Sequence, residues 1–337
     1  MTTEPRTAAS ERAQALRPVV IVHGVVDASR PDEQDTLEQA REVADALARL
    51  GHDVEVLALS LDLSPLARLP RNAILFNLVE ALDGNGRLQH LPPAVMEHLA
   101  LTFTGGSSAA LAITTDKVLA KRLLAARGLP VPETVSSGTP AEAGARYIVK
   151  SLTEDASFGI DAGSVVSGDN VAAELARRRI RFGGQWFAER YVEGREFNMS
   201  VIEDGDGRGK VLPAAEIEFV GYGEGRPRIV DYEAKWDADS HGYNNTPRRF
   251  VSAAAEPALV AELERLTLAA WRTLGLSGYA RIDFRVEPAG RCYILEANVN
   301  PCLSRDAGFA AAVAEAGLDF DDAIRLILAA AERRAPR

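Results

Sequence analysis

The chain has 337 residues, of which 47% are hydrophobic, 26% charged and 6% aromatic. That is the composition of a folded soluble protein, and it excludes a disordered, collagenous or membrane-embedded one. At roughly 150 residues per domain the length predicts two or three domains. A formal net charge of -10 argues against nucleic acid or anionic membrane as the main partner and leaves room only for a local basic cleft that takes a small anion.

No apolar run approaches the roughly 18 residues of a membrane span. Met1 to Pro18 carries no apolar core of signal-peptide type, so the sequence predicts a cytoplasmic protein with a flexible leader over 1–17. Val19-Val-Ile-Val22, ending in His23-Gly24, reads as a buried parallel strand. A turn-rich stretch follows from Asp27 to Asp35. From Thr36 the spacing of Leu37, Ala40, Val43, Ala44, Leu47 and Leu50 predicts a helix that Gly51 stops, before a second strand at Val54 to Leu59. Ala73 to Leu78 and Leu101 to Phe103 read as further strands, giving a small parallel sheet with helices on its faces. No GxGxxG follows the first strand, so a dinucleotide fingerprint is not supported.

Thr104-Gly-Gly-Ser-Ser108 reads as a linker into a new unit. Thr115-Asp116 caps a helix with Val118, Leu119, Leu123 and Leu124 on its apolar side and Lys117 and Lys121 one turn apart on its polar side. Tyr147-Ile-Val-Lys150 is a strand that ends in a lysine and runs into the small-residue segment Ser151 to Gly159. Pro257 to Leu274 is a helix closed by Gly275. Arg281 to Val286 alternates polar and apolar, Glu287-Pro-Ala-Gly290 turns, and Cys292 to Asn298 resumes the alternation, which predicts a β-hairpin. Residues 306–333 form closing helices.

Two cysteines, Cys292 and Cys302, make no disulfide framework, and the five histidines show no zinc-like spacing. The chemistry lies in the hairpin. If it closes around Pro288-Ala289, Arg281 pairs with Glu296 and Asp283 with Ile294, so Arg281, Asp283, Glu296 and Asn298 project from one face. Two carboxylates and an amide oxygen beside a fixed cation suit Mg²⁺, which keeps waters and takes phosphate oxygens as its remaining ligands. A solvated polar face is the plain alternative, and the amide run through Asn300-Pro301 weighs against it. Lys150 with the hydroxyl of Ser157 and nearby backbone N–H groups could fold over a polyphosphate. Glu189 to Val192 could offer a strand edge to a purine, and Glu196 could accept from ribose hydroxyls.

Taken in order, Asp116-Lys117, Lys150 with its loop, Glu189 to Glu196, Asp231-Tyr-Glu-Ala-Lys235, Arg281-Ile-Asp283 and Glu296-Ala-Asn298 resemble the ATP-grasp superfamily. Within it they resemble the D-alanine-D-alanine ligases, from Val19 to about Ala330. The resemblance implies an α/β, ATP-grasp fold of three units: an N-terminal parallel-sheet pre-ATP-grasp domain over 18–112, a central lid over 113–192, and a C-terminal antiparallel-sheet unit over 193–335. It implies a carboxylate-amine ligase that forms an amide or peptide bond through an acyl phosphate and releases ADP and phosphate. Lys117 and Lys150 would hold the α- and β-phosphates and Lys235 the γ-phosphate. Ser157 would help close the loop, Glu189, Arg190 and Val192 would line the adenine hinge, and Glu196 would hold the ribose. Asp283, Glu296 and Asn298 would bind two Mg²⁺ ions, for which Mn²⁺ can substitute. Arg281, with backbone N–H near Cys302, would stabilise the oxyanion. The resemblance also implies a homodimer that acts on small carboxylate and amine substrates of amino-acid type, with no nucleic acid and no membrane as partner.

The departures from the family pattern cluster at substrate contacts. Ala156-Ser157 stands where the loop usually has two serines, and Lys235-Trp236 where it has Lys-Tyr. The early histidine-glycine becomes Val79-Glu80, Pro-Gly becomes Pro301-Cys302, and Ala307 replaces the serine that meets the carboxylate of the second D-alanine. Glu33 alone stands for the first member of the usual Glu-Ser-Tyr network. Losing a hydroxyl that pairs a buried carboxylate costs about 1–3 kcal/mol, enough to redirect specificity. The expectation is a ligase of the same mechanism with substrates other than two D-alanines and a pocket shaped by Glu80 and Trp236. A true D-alanine-D-alanine ligase and a non-catalytic ATP-binding regulatory protein remain as alternatives.

Overall fold

The computed structural model describes residues 16–27, 31–136, 138–223 and 225–335, with only the backbone for 31–33. The leader expected over 1–17 therefore falls almost wholly outside the described residues. The N-terminal unit follows the predicted order: β1 (Val19–Gly24), α1 (Pro31–Arg49), β2 (Val54–Leu59), β3 (Ile74–Asn77), α2 (Leu91–His98) and β4 (Thr102–Phe103). The strands form a parallel sheet in the order β2-β1-β3-β4. Val19 and Ile21 pack with Val43 and Leu47 of α1, while Val20 and Val22 pack with Leu59, Leu75 and Met96 on the other side. A parallel sheet covered on both faces needs such continuous apolar strands. Helix α1 starts at Pro31, five residues before the predicted Thr36, because Pro-Asp-Glu suits a first helical turn although it carries no apolar period.

The linker at Thr104–Ser107 leads into α3 (Ser108–Thr115) and α4 (Lys117–Ala126). Gly105 takes φ +85°, and a Cβ there would fall 2.0 Å from Asn300 Oδ1. The Gly106 amide donates to that same oxygen at 3.0 Å, so Asn300 stitches the linker to the end of the hairpin. Asp116 caps α4 by accepting from the Leu119 amide at 2.9 Å. Next come β5 (Arg146–Ser151), β6 (Val165–Ser167), α5 (Val171–Phe182) and β7 (Trp186–Arg190), an antiparallel sheet in the order β6-β5-β7 with α5 on one face. Tyr147, Val149, Trp186 and Ala188 face that helix. The alternate residues Ile148, Lys150 and Glu189 face the other way, as a period of two requires.

The last unit contains β8 (Arg195–Glu203), β9 (Gly209–Val211), β10 (Ala214–Ile217), α6 (Tyr232–Trp236), α7 (His241–Asn244), β11 (Arg248–Val251), α8 (Pro257–Thr273), β12 (Tyr279–Val286), β13 (Cys292–Val299), α9 (Gly308–Glu315) and α10 (Phe320–Arg333). Its sheet runs β11-β10-β8-β12-β13, with β9 on β8. Phe197, Met199, Ile282, Phe284 and Ile294 bury one face against α8. Helices α9 and α10 share a core with α1, β1 and β3 and so join the first unit to the last.

The predicted hairpin register needs correction. Arg281 pairs with Asn298 and Asp283 with Glu296, and a bulge shifts the ladder so that Phe284 meets Ile294. The residues of the turn move the pairing by one position and the bulge moves it by another. A single slip would have turned the acidic side chains to the opposite face; two slips restore it.

Candidate active site

A cavity of about 620 Å³ opens between the polar faces of the two antiparallel sheets. Lys117, Lys150, Ser157, Glu189, Arg190, Val192, Glu196, Lys235, Arg281, Asp283, Glu296 and Asn298 all line it, as do Glu80, Trp236, Cys302 and Ala307. Residues separated by more than two hundred positions thus share one space. The side chain of Glu33 lies outside the described residues.

On the hairpin face, Arg281 Nε and Nη2 fork onto Asp283 at 2.7 and 2.9 Å. The amides of Asn198 and Asn298 donate to the same carboxylate at 2.8 and 3.0 Å. Glu296, directly opposite Asp283 in the ladder, is ringed by cations. Burial works to raise its carboxyl, but Lys117, Lys150, Lys235 and Arg281 outweigh that and pull it down to about 2. Among the described residues no cluster of three His, Cys, Asp or Glu side chains has metal-holding geometry, so a metal here needs the Asn298 amide oxygen as third ligand. The donor set fits Mg²⁺ in that its atoms are hard oxygens and only part of the octahedron comes from protein; each oxygen of Asp283 already accepts two hydrogen bonds, so a metal there would replace an amide donor of Asn198 or Asn298. Glu196 shifts in the direction opposite to Glu296. Burial raises it, against the nearby guanidinium of Arg285, with which it pairs at 3.0 Å.

The opposite wall holds a charge arrangement that the sequence did not disclose. Glu189 lies between Lys121 at 2.8 Å and Lys150 at 3.0 Å, and Lys121 also donates to the carbonyl of Leu295 on β13. Burial opposes ionisation of Glu189, but the two lysines outweigh it and hold its carboxyl low. Burial lowers Lys121, whereas in Lys150 the carboxylates of Glu189 and Glu296 overcome burial and raise it. The Arg190 guanidinium pairs with Glu142 at 3.1 Å. Lys121 was visible in the sequence as a polar-face neighbour of Lys117, and Arg285 as part of the alternating strand, but nothing local marked their partners.

Between Lys150 and β6 the loop lies against the segment that carries Lys235. Ser157 Oγ donates to the carbonyl of Val230 at 2.8 Å, and Trp236 Nε1 to that of Ala156 at 3.3 Å. Ala156 and Ser157 both take left-handed backbone, φ 55° and 60°. At the far end of the loop Arg178, fully buried on α5, donates to the carbonyl of Gly159 and forks onto Asp161 at 3.2 and 2.6 Å. Gly159 has no room for a side chain: a Cβ would meet the Trp186 ring at 2.6 Å. Burial lowers Lys235, and the neighbouring Arg281 lowers it further.

At the end bordered by the first unit, Glu80 accepts from Gln39 Nε2 at 3.2 Å. Cys302 Sγ approaches Asp35 at 3.1 Å, and Ser304 Oγ donates to Asp35 at 2.7 Å. Burial pushes the Cys302 thiol up, and Glu80 and Asp35 push it further, so it stays protonated and serves as a neutral wall rather than a nucleophile.

A family model described as "D-ala D-ala ligase C-terminus" matches residues 134–329, more than half of the chain. The chain belongs to the D-alanine-D-alanine ligase family. The ligase of that name from Gloeobacter violaceus is 30% identical over 312 residues, covering 88% of this chain and 95% of its own. An uncharacterized Sinorhizobium fredii protein, y4sG, is 30% identical over 276 residues, covering 80% and 77%. Among solved structures, the Bacillus anthracis D-alanine-D-alanine ligase complexed with ATP superimposes with a TM-score of 0.71 at 18% identity, covering 94% of this chain and 98% of its own, a likeness of fold. This family member is an ATP-grasp ligase that joins a carboxylate to an amine. None of its described helices is long and apolar enough to cross a membrane.

Proposed function

We propose that the enzyme activates a carboxylic acid as an acyl phosphate with ATP, joins it to an amine and releases ADP and phosphate, and that at least one of its two organic substrates is not D-alanine. The convergence of Lys117, Lys150, Lys235, Arg281 and the hairpin carboxylates on one cavity is the observation that supports this reading. In it Lys117 and Lys150 hold the α- and β-phosphates, Lys235 reaches the γ-phosphate and Ser157 helps close the loop. The backbone of Glu189, Arg190 and Val192 takes the adenine, and Glu196 the ribose. Asp283, Glu296 and Asn298 hold the Mg²⁺, which when bound neutralises charge on the phosphates.

A carboxylate is a poor electrophile, so phosphorylation supplies the leaving group that the amine later displaces. Arg281, held by both oxygens of Asp283, keeps a fixed positive charge beside the oxygen on which negative charge develops. The loop tied to Val230 and Trp236 shields the mixed anhydride from water. Divergence in substrate is supported by Ala307, which offers no hydroxyl, and by Trp236, Glu80 and Cys302 around the same space. We further place the unit boundaries at 112/113 and 192/193, the enzyme in the cytoplasm, and the active form as a homodimer.

The test is a panel of amino acids in pairs, scored by phosphate release and by mass spectrometry of any positive pair. ADP and phosphate appearing only with both partners, and with a pair other than two D-alanines, supports the proposal; AMP and pyrophosphate contradicts it. Turnover of D-alanine alone at the rate of the best pair favours the second reading, a D-alanine-D-alanine ligase, which the names of the relatives support.

A further inference from the structure

Lys117 is buried at the start of α4, and two of its three ammonium donors are already engaged by the loop. It donates to the carbonyl of Glu154 at 3.0 Å and to Asp155 Oδ1 at 2.7 Å. The Asp155 side chain is about half exposed. It is therefore a carboxylate presented from solvent to a cation that, on the reading above, grips phosphate. The two residues after it, Ala156 and Ser157, are held in left-handed backbone. L-residues adopt that conformation only where surrounding contacts impose it, and such strain marks segments with a second arrangement within reach.

We propose that Asp155 is a built-in competitor of the nucleotide: its carboxylate occupies Lys117 until a phosphate displaces it, and so sets the affinity of the enzyme for ATP. This rests on the assignment of Lys117 to a phosphate. One ammonium cannot serve the carboxylate and a phosphate oxygen equally well, and the two anions repel each other at the distances involved. The third donor of Lys117 is left for a phosphate, but the anion it brings would lie against the carboxylate, so binding drives Asp155 away and the segment from Thr153 to Ser157 with it. Glu154 adds to the pressure. Its carboxyl is raised by burial and by the negative charge of Asp155 next to it, so the departure of Asp155 relieves a like-charge contact. A contact that served only to stiffen the loop would favour the nucleotide, and the two roles therefore predict opposite signs.

The experiment is direct titration of ATP, ADP and adenosine into the wild type, Asp155→Asn and Asp155→Glu, with Tm recorded for each. Asp155→Asn keeps the size of the side chain and the backbone carbonyl that accepts from the Phe158 amide. We expect it to bind ATP and ADP on the order of tenfold more tightly, the worth of one charge-assisted hydrogen bond, and to bind adenosine unchanged. Asp155→Glu, which keeps the charge, stays within about threefold of the wild type. Unchanged or weaker ATP binding by Asp155→Asn overturns the inference, and so does an equal gain for adenosine, which has no phosphate to compete. If Asp155→Asn loses more than a few degrees of Tm, Asp155→Ser is read by the same ATP-to-adenosine ratio. A wild type that binds no ATP at all overturns the functional reading itself, an outcome distinct from the others.

Discussion

Replacing Glu189 by Gln tests the charge arrangement of the cavity wall. Glu189 is 1% exposed, and its two lysines 4% and 12%, so all three charges are cut off from solvent. The substitution conserves shape but removes the negative charge that pairs with both Lys121 and Lys150. Breaking one side of a buried ion pair costs about 3–5 kcal/mol, and each kcal/mol moves Tm by about 1.4 °C in a chain of this length. Thermal unfolding followed by circular dichroism at pH 7 should therefore place Glu189→Gln about 4–7 °C below the wild type. The pH dependence has a definite sign. The lysines hold the folded-state carboxyl below its ordinary value despite burial, so the stabilisation is complete above the unfolded-state value near ~4.3 and is lost as pH falls through the folded one. The gap between wild type and variant should be full at pH 7 and close in acid. A Tm within about 2 °C of the wild type at pH 7, or a gap that widens on acidification, refutes the reasoning.

Further outcomes follow from the same geometry. Asp283→Asn removes a proposed metal ligand and the partner that orients Arg281, so phosphate release with any productive pair should fall by on the order of 10²-fold or more, while adenosine affinity measured by titration stays the same. Glu296, drawn down to about 2 by its ring of cations, contributes stability that is present above the ordinary carboxylate range and lost only toward that value. Glu296→Gln should thus be less stable than the wild type by equal margins at pH 7 and pH 5 in thermal unfolding. Trp236→Phe deletes the indole N–H donated to Ala156; the bond exists before ATP binds, so thermal unfolding should show Tm lowered by about 1–2 °C, the worth of one neutral hydrogen bond in a chain of this length.

Where function depends on alternation along a strand, the sequence was readable. The polar and apolar residues of β12 and β13 placed Arg281, Asp283, Glu296 and Asn298 on one face although the register was off by two positions, because a period of two tolerates an even error. The onset of α1 was hidden because its first turn is polar. Asn300, read as part of an amide run that favoured metal chemistry, instead accepts from the Gly106 amide and joins two units. The pairings of Lys121 and Arg285 were hidden for a different reason. Their partners, Glu189 and Glu196, sit on other strands, and no local pattern reports such a meeting. The Asp155–Lys117 pair is likewise a product of loop path, which side-chain periodicity does not encode.

The central claim is that a carboxylate oxygen takes the γ-phosphoryl group before the amine attacks. Turnover of a productive pair in which only the carboxylic acid carries heavy oxygen tests it directly, by mass analysis of the released phosphate. One labelled oxygen in each phosphate, with ADP as the sole nucleotide product, is the expected result. Unlabelled phosphate, or label recovered in AMP, contradicts it.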